Sequence, residues 1–557
     1  MRSFIQKNHL FLFFGGWLLL NLIQAGCTEL FDDEAYYWIY AQYPAWGYFD
    51  HPPMIAWLIK AGYAIFPNEL GVRFFVVLMN TGTLVLLYDL LEKKNARLFY
   101  AIAFSLALAQ IGGIMAVPDL PLLFFTALFF WCYRRFTTQM NLINSLVLGL
   151  VVALMMYSKY HGVLVVFFTL LSNPKLFLRY QTYLVTGFAL LLFAPHLWWQ
   201  YEHGFPSVQF HLFERHNTSY RISFTTDYLA GQLLLAGPIV GWMLLWAAWK
   251  YRSTNSTEKA LRFTLIGVYV LFFISSLRGK TEANWTVPAF TGLIVLSHQY
   301  LISHENWQRW LYRLLPITIV LVFAVRIYMI LDIPALSFLS KDEFHENKTA
   351  TAAILQKAGD HPIAVLDSYQ KPSKIWFYGK GPVFSLNSPW YRRNNFNYWP
   401  AEDSLLGKTV YFIGHDSPVF NDTIPFAKYK KDGGLLVSNY YSWSKIQIQN
   451  IRKELVNRET IQYTATINSP ENYLPFMQQA GKDTASVLFV LYNNRGDVMQ
   501  YLPSGIRVGS LKETNQSVTV SAKHQLEPGT YNVRMGINSC LPGFPSLNST
   551  GFKIVIE

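Results

Sequence analysis

Charge is what this chain has least of. Asp, Glu, Lys and Arg make up 14% of its 557 residues, against roughly a quarter in soluble proteins. With 52% hydrophobic residues and a mean hydropathy of +0.20, that deficit excludes a wholly water-soluble globule. Cysteine is nearly absent. Cys27, Cys132 and Cys540 are too few and too scattered for a disulfide framework or a zinc ribbon. There is no G-x-x-x-x-G-K-[ST] phosphate loop, so ATP hydrolysis by this chain is not expected. Internal repeats and low-complexity tracts are missing too. The net charge of +12 invites a nucleic-acid reading. Much of the Lys and Arg, however, sits in short loops between apolar runs, where it orients helices. No nucleic-acid partner is expected.

What the chain has is apolar sequence in runs of spanning length, from Leu10 to about Leu331. A helix crossing about 30 Å of hydrocarbon needs roughly 20 apolar residues. Eleven spans are predicted, near 10–27, 71–91, 98–116, 120–133, 142–159, 161–178, 182–200, 228–249, 262–277, 286–303 and 313–331. The first mimics a signal peptide but lacks a small-residue cleavage site, so it reads as an uncleaved helix. Alternate loops carry the cations: Arg2 and Lys7; Lys93, Lys94 and Arg97; Arg134 and Arg135; Lys175 and Arg179; Lys250, Arg252, Lys259 and Arg262; Arg309 and Arg313. The positive-inside rule then puts the N-terminus in the cytoplasm and the tail outside. The expected domains are a helical membrane domain at 1–331, an extracytoplasmic α/β region at 332–434, and a β-sandwich-like domain at 435–557. The last rests on short alternating segments such as Gln462–Ile467, Ser486–Tyr492 and Tyr531–Met535, separated by turn signals such as Glu527-Pro528-Gly529 and 493–496.

The ionisable residues within the membrane domain gather on one predicted face. Leu30-Phe31-Asp32-Asp33-Glu34-Ala35-Tyr36-Tyr37-Trp38 begins the first external segment. It fits an interfacial aromatic helix with acids at its start, the acids serving either as chemistry or as caps. Gly47-Tyr48-Phe49-Asp50-His51-Pro52-Pro53 follows. Asp119, between Pro118 and Leu120-Pro121, is either a cap or a paired carboxylate, since an unpaired acid at a bilayer edge is costly. Lys159, in Ser158-Lys159-Tyr160-His161-Gly162, either snorkels to headgroups or holds a phosphate, snorkelling being slightly favoured. Arg278, Lys280, Glu282, Asn284 and Trp285 crowd one short outer turn. His196, His203, His211, Arg215 and His216 on the long outer loop carry little weight individually. Acids and bases concentrated on one face describe an active site better than a transport pathway, whose ionisable groups lie near the midplane.

At these residues the sequence resembles the bacterial branch of the dolichyl-phosphate-mannose–protein mannosyltransferase family, which includes aminoarabinose transferases acting on lipid A. The matching pieces are Asp33-Glu34-Ala35-Tyr36-Tyr37-Trp38, Tyr48-Phe49-Asp50-His51-Pro52-Pro53, Pro118-Asp119-Leu120-Pro121, Ser158-Lys159-Tyr160-His161-Gly162 and Glu282-Ala283-Asn284-Trp285, in family order along the first 330 residues or so. The resemblance implies a GT-C fold: a polytopic helical membrane domain, here with an extracytoplasmic α/β plus β-sandwich region. It implies a polyprenyl-phosphate sugar donor and a glycosyltransferase of the bacterial inner membrane, multi-pass, acting on its outer face. Its essential acid corresponds to Asp33, beside Glu34, and the second acid to Asp119. Lys159, His51, Arg278 and Lys280 would hold the donor phosphate, and Tyr36, Tyr37, Asp50, Tyr160, Glu282, Asn284 and Trp285 would line the substrate. Asp50-His51-Pro52 stands where the aminoarabinose transferases carry Glu-Lys-Pro, so the sugar stays open. A piece of the tail, Ser368-Tyr369-Gln370 through Phe377-Tyr378, with Tyr391-Arg392-Arg393 after it, also resembles a stretch found in bacterial relatives.

The expected mechanism is inverting transfer, with Asp33 as base for an acceptor hydroxyl on a lipid, a glycan or a protein. The cations would stabilise the departing phosphate. No cofactor is demanded. A divalent cation is compatible with the acids and histidines, but no spacing requires one. The alternative is a transporter or flippase of the same lipid-linked sugar.

Overall fold

A computed structural model describes residues 2–211, 220–333, 343–415, 419–424, 432–493 and 498–557, with side chains from Asn8 onwards. The chain divides into two units, Met1–His345 and Glu346–Glu557.

The first unit is helical: α1 (Arg2–Cys27), α2 (Asp32–Gln42), α3 (Met54–Ile65), α4 (Glu69–Leu90), α5 (Ala96–Ser105), α6 (Ala107–Gln110), α7 (Asp119–Thr138), α8 (Leu142–Ser158), α9 (Gly162–Ser172), α10 (Tyr180–Glu202), α11 (Pro206–Gln209), α12 (Ile222–Ala236), α13 (Gly241–Lys250), α14 (Ser256–Ser276), α15 (Phe290–Ile302) and α16 (Glu305–Ile330). Every predicted span falls on helix. Among the described residues, five helices are long and apolar enough to cross a membrane, or seven if two bent pairs count as spans. The difference from eleven has a physical cause. Several expected spans are broken or short: α5 and α6 meet at 77°, and α12 and α13 at 90°. The second bend sits at Gly237, whose φ of +134° disfavours a side chain. A Cβ there would also fall 2.7 Å from the Ser105 carbonyl, so the two broken helices lean on each other. Four helices start on asparagine caps, with Asn68, Asn95, Asn141 and Asn255 each accepting a backbone N–H of the first turn.

The second unit contains α17 (Asn347–Ala358), β1 (Ile363–Leu366), α18 (Gln370–Gly379), β2 (Val383–Leu386), β3 (Val410–His415), β4 (Asp422–Thr423) and β5 (Asp432–Val437). Their sheet has the order β2-β1-β3-β5-β4, parallel among β1, β2 and β3 and antiparallel from there to β4. The α/β sheet therefore extends through Val437, and the boundary expected between 434 and 435 falls inside a strand. Beyond it come β6 (Gln447–Val456), β7 (Thr460–Asn468), α19 (Leu474–Met477), β8 (Ser486–Tyr492), β9 (Val498–Arg507), β10 (Asn515–Lys523), β11 (Gly529–Ile537), β12 (Ser546–Leu547) and β13 (Phe552–Ile556). Two antiparallel sheets, β10-β7-β6 and β12-β11-β8-β9 with β13 on β11, enclose one core that includes Ile461, Phe489, Val520 and Met535. In β7 burial alternates residue by residue, as one face of a sandwich requires. Part of the turn expected at 493–496 lies outside the described residues.

Candidate functional site

The first turn of α2 is fixed by one ion pair. Arg73 on α4 donates to Glu34 through Nε at 2.7 Å and Nη2 at 2.5 Å. It also reaches the carbonyls of Ala25, Thr28 and Glu29. Glu34 accepts the N–H of Phe31 at 2.9 Å and that of Ala116 at 2.7 Å. Both partners are buried. Glu34 thus satisfies a backbone donor at this helix start. It also ties α2 to the segment leading into Asp119. Glu34, expected at the chemistry, is thus held here by a guanidinium and two backbone amides. Asp33, its neighbour, is only half-buried.

The second ion pair crosses from α7 to the end of α8. Lys159 Nζ lies 2.8 Å from Asp119 Oδ1, both groups are buried, and Asn284 Nδ2 donates to Asp119 Oδ2 at 3.0 Å. Lys159 does not snorkel, and Asp119, at the first residue of α7, caps nothing. Both readings fail for one reason: two charges from separate helices are brought within contact, which neutralises each. An ammonium has three protons. One is used on Asp119, and among the described residues no protein acceptor takes the other two.

Lys159 opens into a cavity of about 630 Å³, lined also by His51, Tyr160, His161, His196, Gln200, His211 and Trp285. Its remaining wall is apolar, including Met156, Leu164, Phe193 and Phe272. Val163, Leu197 and Leu271, at its margin, are exposed hydrophobics of the kind that face lipid. The polar end is held rigidly. His196 bonds the Trp46 carbonyl through Nδ1 at 2.7 Å, which fixes the tautomer and leaves Nε2 to accept from the Tyr160 hydroxyl at 3.0 Å. His211 Nε2 donates to the Asp50 carbonyl at 3.0 Å. Gln200 Nε2 serves Tyr160 and Ser207, whereas its buried Oε1 has no hydrogen-bond partner among the described residues. That is an acceptor aimed at a ligand donor.

Of the residues expected at the site, Lys159, His51, Tyr160 and Trp285 line this cavity, and Asp119 and Asn284 hold Lys159 from behind. Tyr36 and Tyr37 pack with Tyr40 and Tyr48 in one aromatic cluster, and Tyr37 meets the His51 ring edge-on at 5.7 Å. Tyr40 donates its hydroxyl to Asp50. Burial, helped by that carboxylate, holds the phenol protonated well above its usual range. Arg278 and Lys280 do not join them: both are exposed, and Lys280 pairs with Glu282 at 3.0 Å. Arg215 and His216 lie outside the described residues. Sequence reasoning missed Arg73 and Gln200 and discounted His196 and His211. Their residue types carry no pattern, and only the crossing of α4 with α2, and of α10 with the first external segment, gives them partners. Among the described residues no three His, Cys, Asp or Glu side chains group as a metal site.

Residues 50–199 match the model of the family described as dolichyl-phosphate-mannose-protein mannosyltransferase. The chain is 26% identical over 295 residues to lipid A galacturonosyltransferase RgtD of Rhizobium johnstonii, across 50% of this chain and 61% of that protein. It is also 26% identical over 282 residues to an uncharacterized protein of Aquifex aeolicus, across 46% and 53% of the two chains. The chain thus spans about three fifths of the first relative and half of the second. Among solved structures, apo ArnT from Cupriavidus metallidurans superposes with a TM-score of 0.56 at 12% identity, covering 77% of this chain and 98% of that one. The same protein bound to undecaprenyl phosphate gives 0.53 at 13% identity, over the same shares of the two chains. The fold is therefore GT-C.

Proposed function

From a membrane unit with the GT-C fold and the family match over 50–199, we propose that this protein is an integral membrane glycosyltransferase. It moves a sugar from a polyprenyl-phosphate donor to an acceptor on the extracytoplasmic face of the inner membrane, with inversion. The observation that carries this reading is the cavity: a lysine with two unassigned protons at a polar end, an apolar wall, and a rim of exposed hydrophobics. A phosphate with an isoprenoid tail has that same division.

In this reading the donor phosphate lies against Lys159, with His51 and Tyr160 beside it, and the tail follows the apolar wall. The acceptor oxygen attacks the anomeric carbon from the face opposite the phosphate. The carbon–oxygen bond to phosphate breaks, the electron pair leaves with polyprenyl phosphate, and the acceptor proton passes to Asp33. Lys159 stabilises charge that grows on the phosphate as the bond lengthens, which is where a fixed cation lowers a barrier most. Asp119 and Asn284 hold the ammonium in place. Gln200 Oε1 accepts a sugar hydroxyl. The N-terminus is cytoplasmic and the second unit extracytoplasmic in this reading, which the distribution of loop cations supports. The named relative makes lipid A the first acceptor to test, ahead of glycan and protein.

The experiment is transfer of label from undecaprenyl-phosphate sugars to envelope extract by protein reconstituted in lipid. Wild type should release undecaprenyl phosphate and label an acceptor. Asp33→Asn, inserted and folded, should transfer at least about 10²-fold more slowly. Movement of donor between leaflets without release of undecaprenyl phosphate would replace the transferase by a flippase.

A further inference from the structure

A second polar cavity lies at the other end of α14. Its volume is about 690 Å³, and it is lined by Arg252, Ser253, Thr254, Asn255, Ser256, Lys259, Arg262, Phe263 and Ile266. The helix runs 21 residues from Ser256 to Ser276, a rise of about 30 Å, and Ser275 at its far end lines the cavity that holds Lys159. The two cavities therefore sit at opposite ends of a helix long and apolar enough to cross a membrane.

Three cations line this cavity. Among the described residues, no carboxylate pairs with Arg252, Lys259 or Arg262. The nearby acids bond neutral groups, some of them in the cavity wall. Glu258 accepts from the Tyr251 hydroxyl and from Thr254 N and Oγ1, and Glu92 accepts from Asn255. The Oγ of Ser253 is buried and has no hydrogen-bond partner among the described residues. Three cations paired with no carboxylate and a hydroxyl oxygen without a partner together describe a site for a phosphate. Lys259, Arg262, Phe263 and Ile266 follow i, i+3, i+4, i+7 spacing and so share one helix face, cationic at its start and apolar below. A free phosphate has no use for the apolar half. A phospholipid has use for both.

We propose that this pocket binds the phosphate headgroup of an anionic phospholipid, with an acyl chain along Phe263 and Ile266, on the face opposite the donor cavity. By the loop cations this is the cytoplasmic leaflet. The test is native mass spectrometry of the full chain in nonionic detergent, titrated with phosphatidylglycerol, phosphatidylcholine or glycerol 3-phosphate. Wild type should retain one phosphatidylglycerol at least tenfold better than phosphatidylcholine. That preference should vanish in the triple variant Arg252→Gln, Lys259→Gln, Arg262→Gln. It should also vanish in Ser253→Asp, which places a carboxylate in the pocket and leaves the topogenic cations intact. Unchanged thermal unfolding and undecaprenyl phosphate binding would show that both variants fold. Equal retention by wild type and the two folded variants would overturn the assignment. So would full displacement of the lipid by equimolar glycerol 3-phosphate, which would give the pocket to a soluble phosphate ester.

Discussion

At the scale of single residues, the Lys159–Asp119 pair separates structure from chemistry. Removing one member of a buried pair leaves the other charge uncompensated and costs about 3–5 kcal/mol, whereas removing both is close to neutral. Lys159→Gln and Asp119→Asn alone should each lower the unfolding midpoint by several degrees. The double variant should recover most of that loss. Activity should not recover, because the proposed phosphate contact is gone; a loss of about 10²-fold or more in kcat/KM is expected. Calorimetry and the transfer assay on the same three proteins check both halves.

In the second unit, Asp367 offers a pH signature. It sits after β1 with a left-handed φ of +50° and accepts from Ser388 N–H and hydroxyl. Burial outweighs these bonds and raises its carboxyl from 3.8 to about 6. A raised folded-state value favours the protonated fold, so its contribution is fully present below about pH 4 and is lost as pH rises through 6, about 3 kcal/mol in all. Asp367→Asn should flatten the dependence of the second unit's unfolding midpoint between pH 4 and 6.5. An unchanged slope would assign it to other groups.

At the scale of elements, the segment from α6 to α7 decides where Asp119 stands. It is held at three points: Arg326 on Gln110, Asn80 on the Ala109 carbonyl, and Glu34 on the Ala116 N–H. Arg326, on α16, is buried among neutral partners, Asn21, Gln24 and Gln110. Arg326→Met keeps the volume but orphans those amides and a carbonyl, at about 2–4 kcal/mol. It should lower the unfolding midpoint and, because Asp119 is displaced, lower kcat more than it raises donor KM. A drop in stability with kcat intact would limit Arg326 to a role in the fold. None of this was legible in the sequence, where Arg326 reads as a stray cation in a span. The helices themselves were legible, because runs of apolar residues bounded by Asn caps and loop cations report local preferences. The breaks at Leu106 and Gly237 were not, since the apolar composition continues straight through them.

At the scale of the whole molecule, every residue lining the donor cavity belongs to the first unit. Undecaprenyl phosphate at a hundredfold excess over its Kd should stabilise that unit by about 2.7 kcal/mol. Hydrogen exchange should then slow in peptides covering 46–57, 156–164, 193–211 and 271–285. Protection confined to 346–557 would relocate the lipid site.

The sequence by itself determined the class of protein, its helices, the β-rich tail and the candidate roster of Asp33, Asp119, Lys159 and His51, because composition, periodicity and short motifs are local properties. Tertiary structure decided the partners. It set Glu34 against Arg73, Lys159 against Asp119, and Gln200 with an open acceptor in the cavity, and it left Arg278 and Lys280 in solvent. A charge's function depends on what is brought within 3 Å of it, and in a bundle those partners come from helices tens to hundreds of residues away.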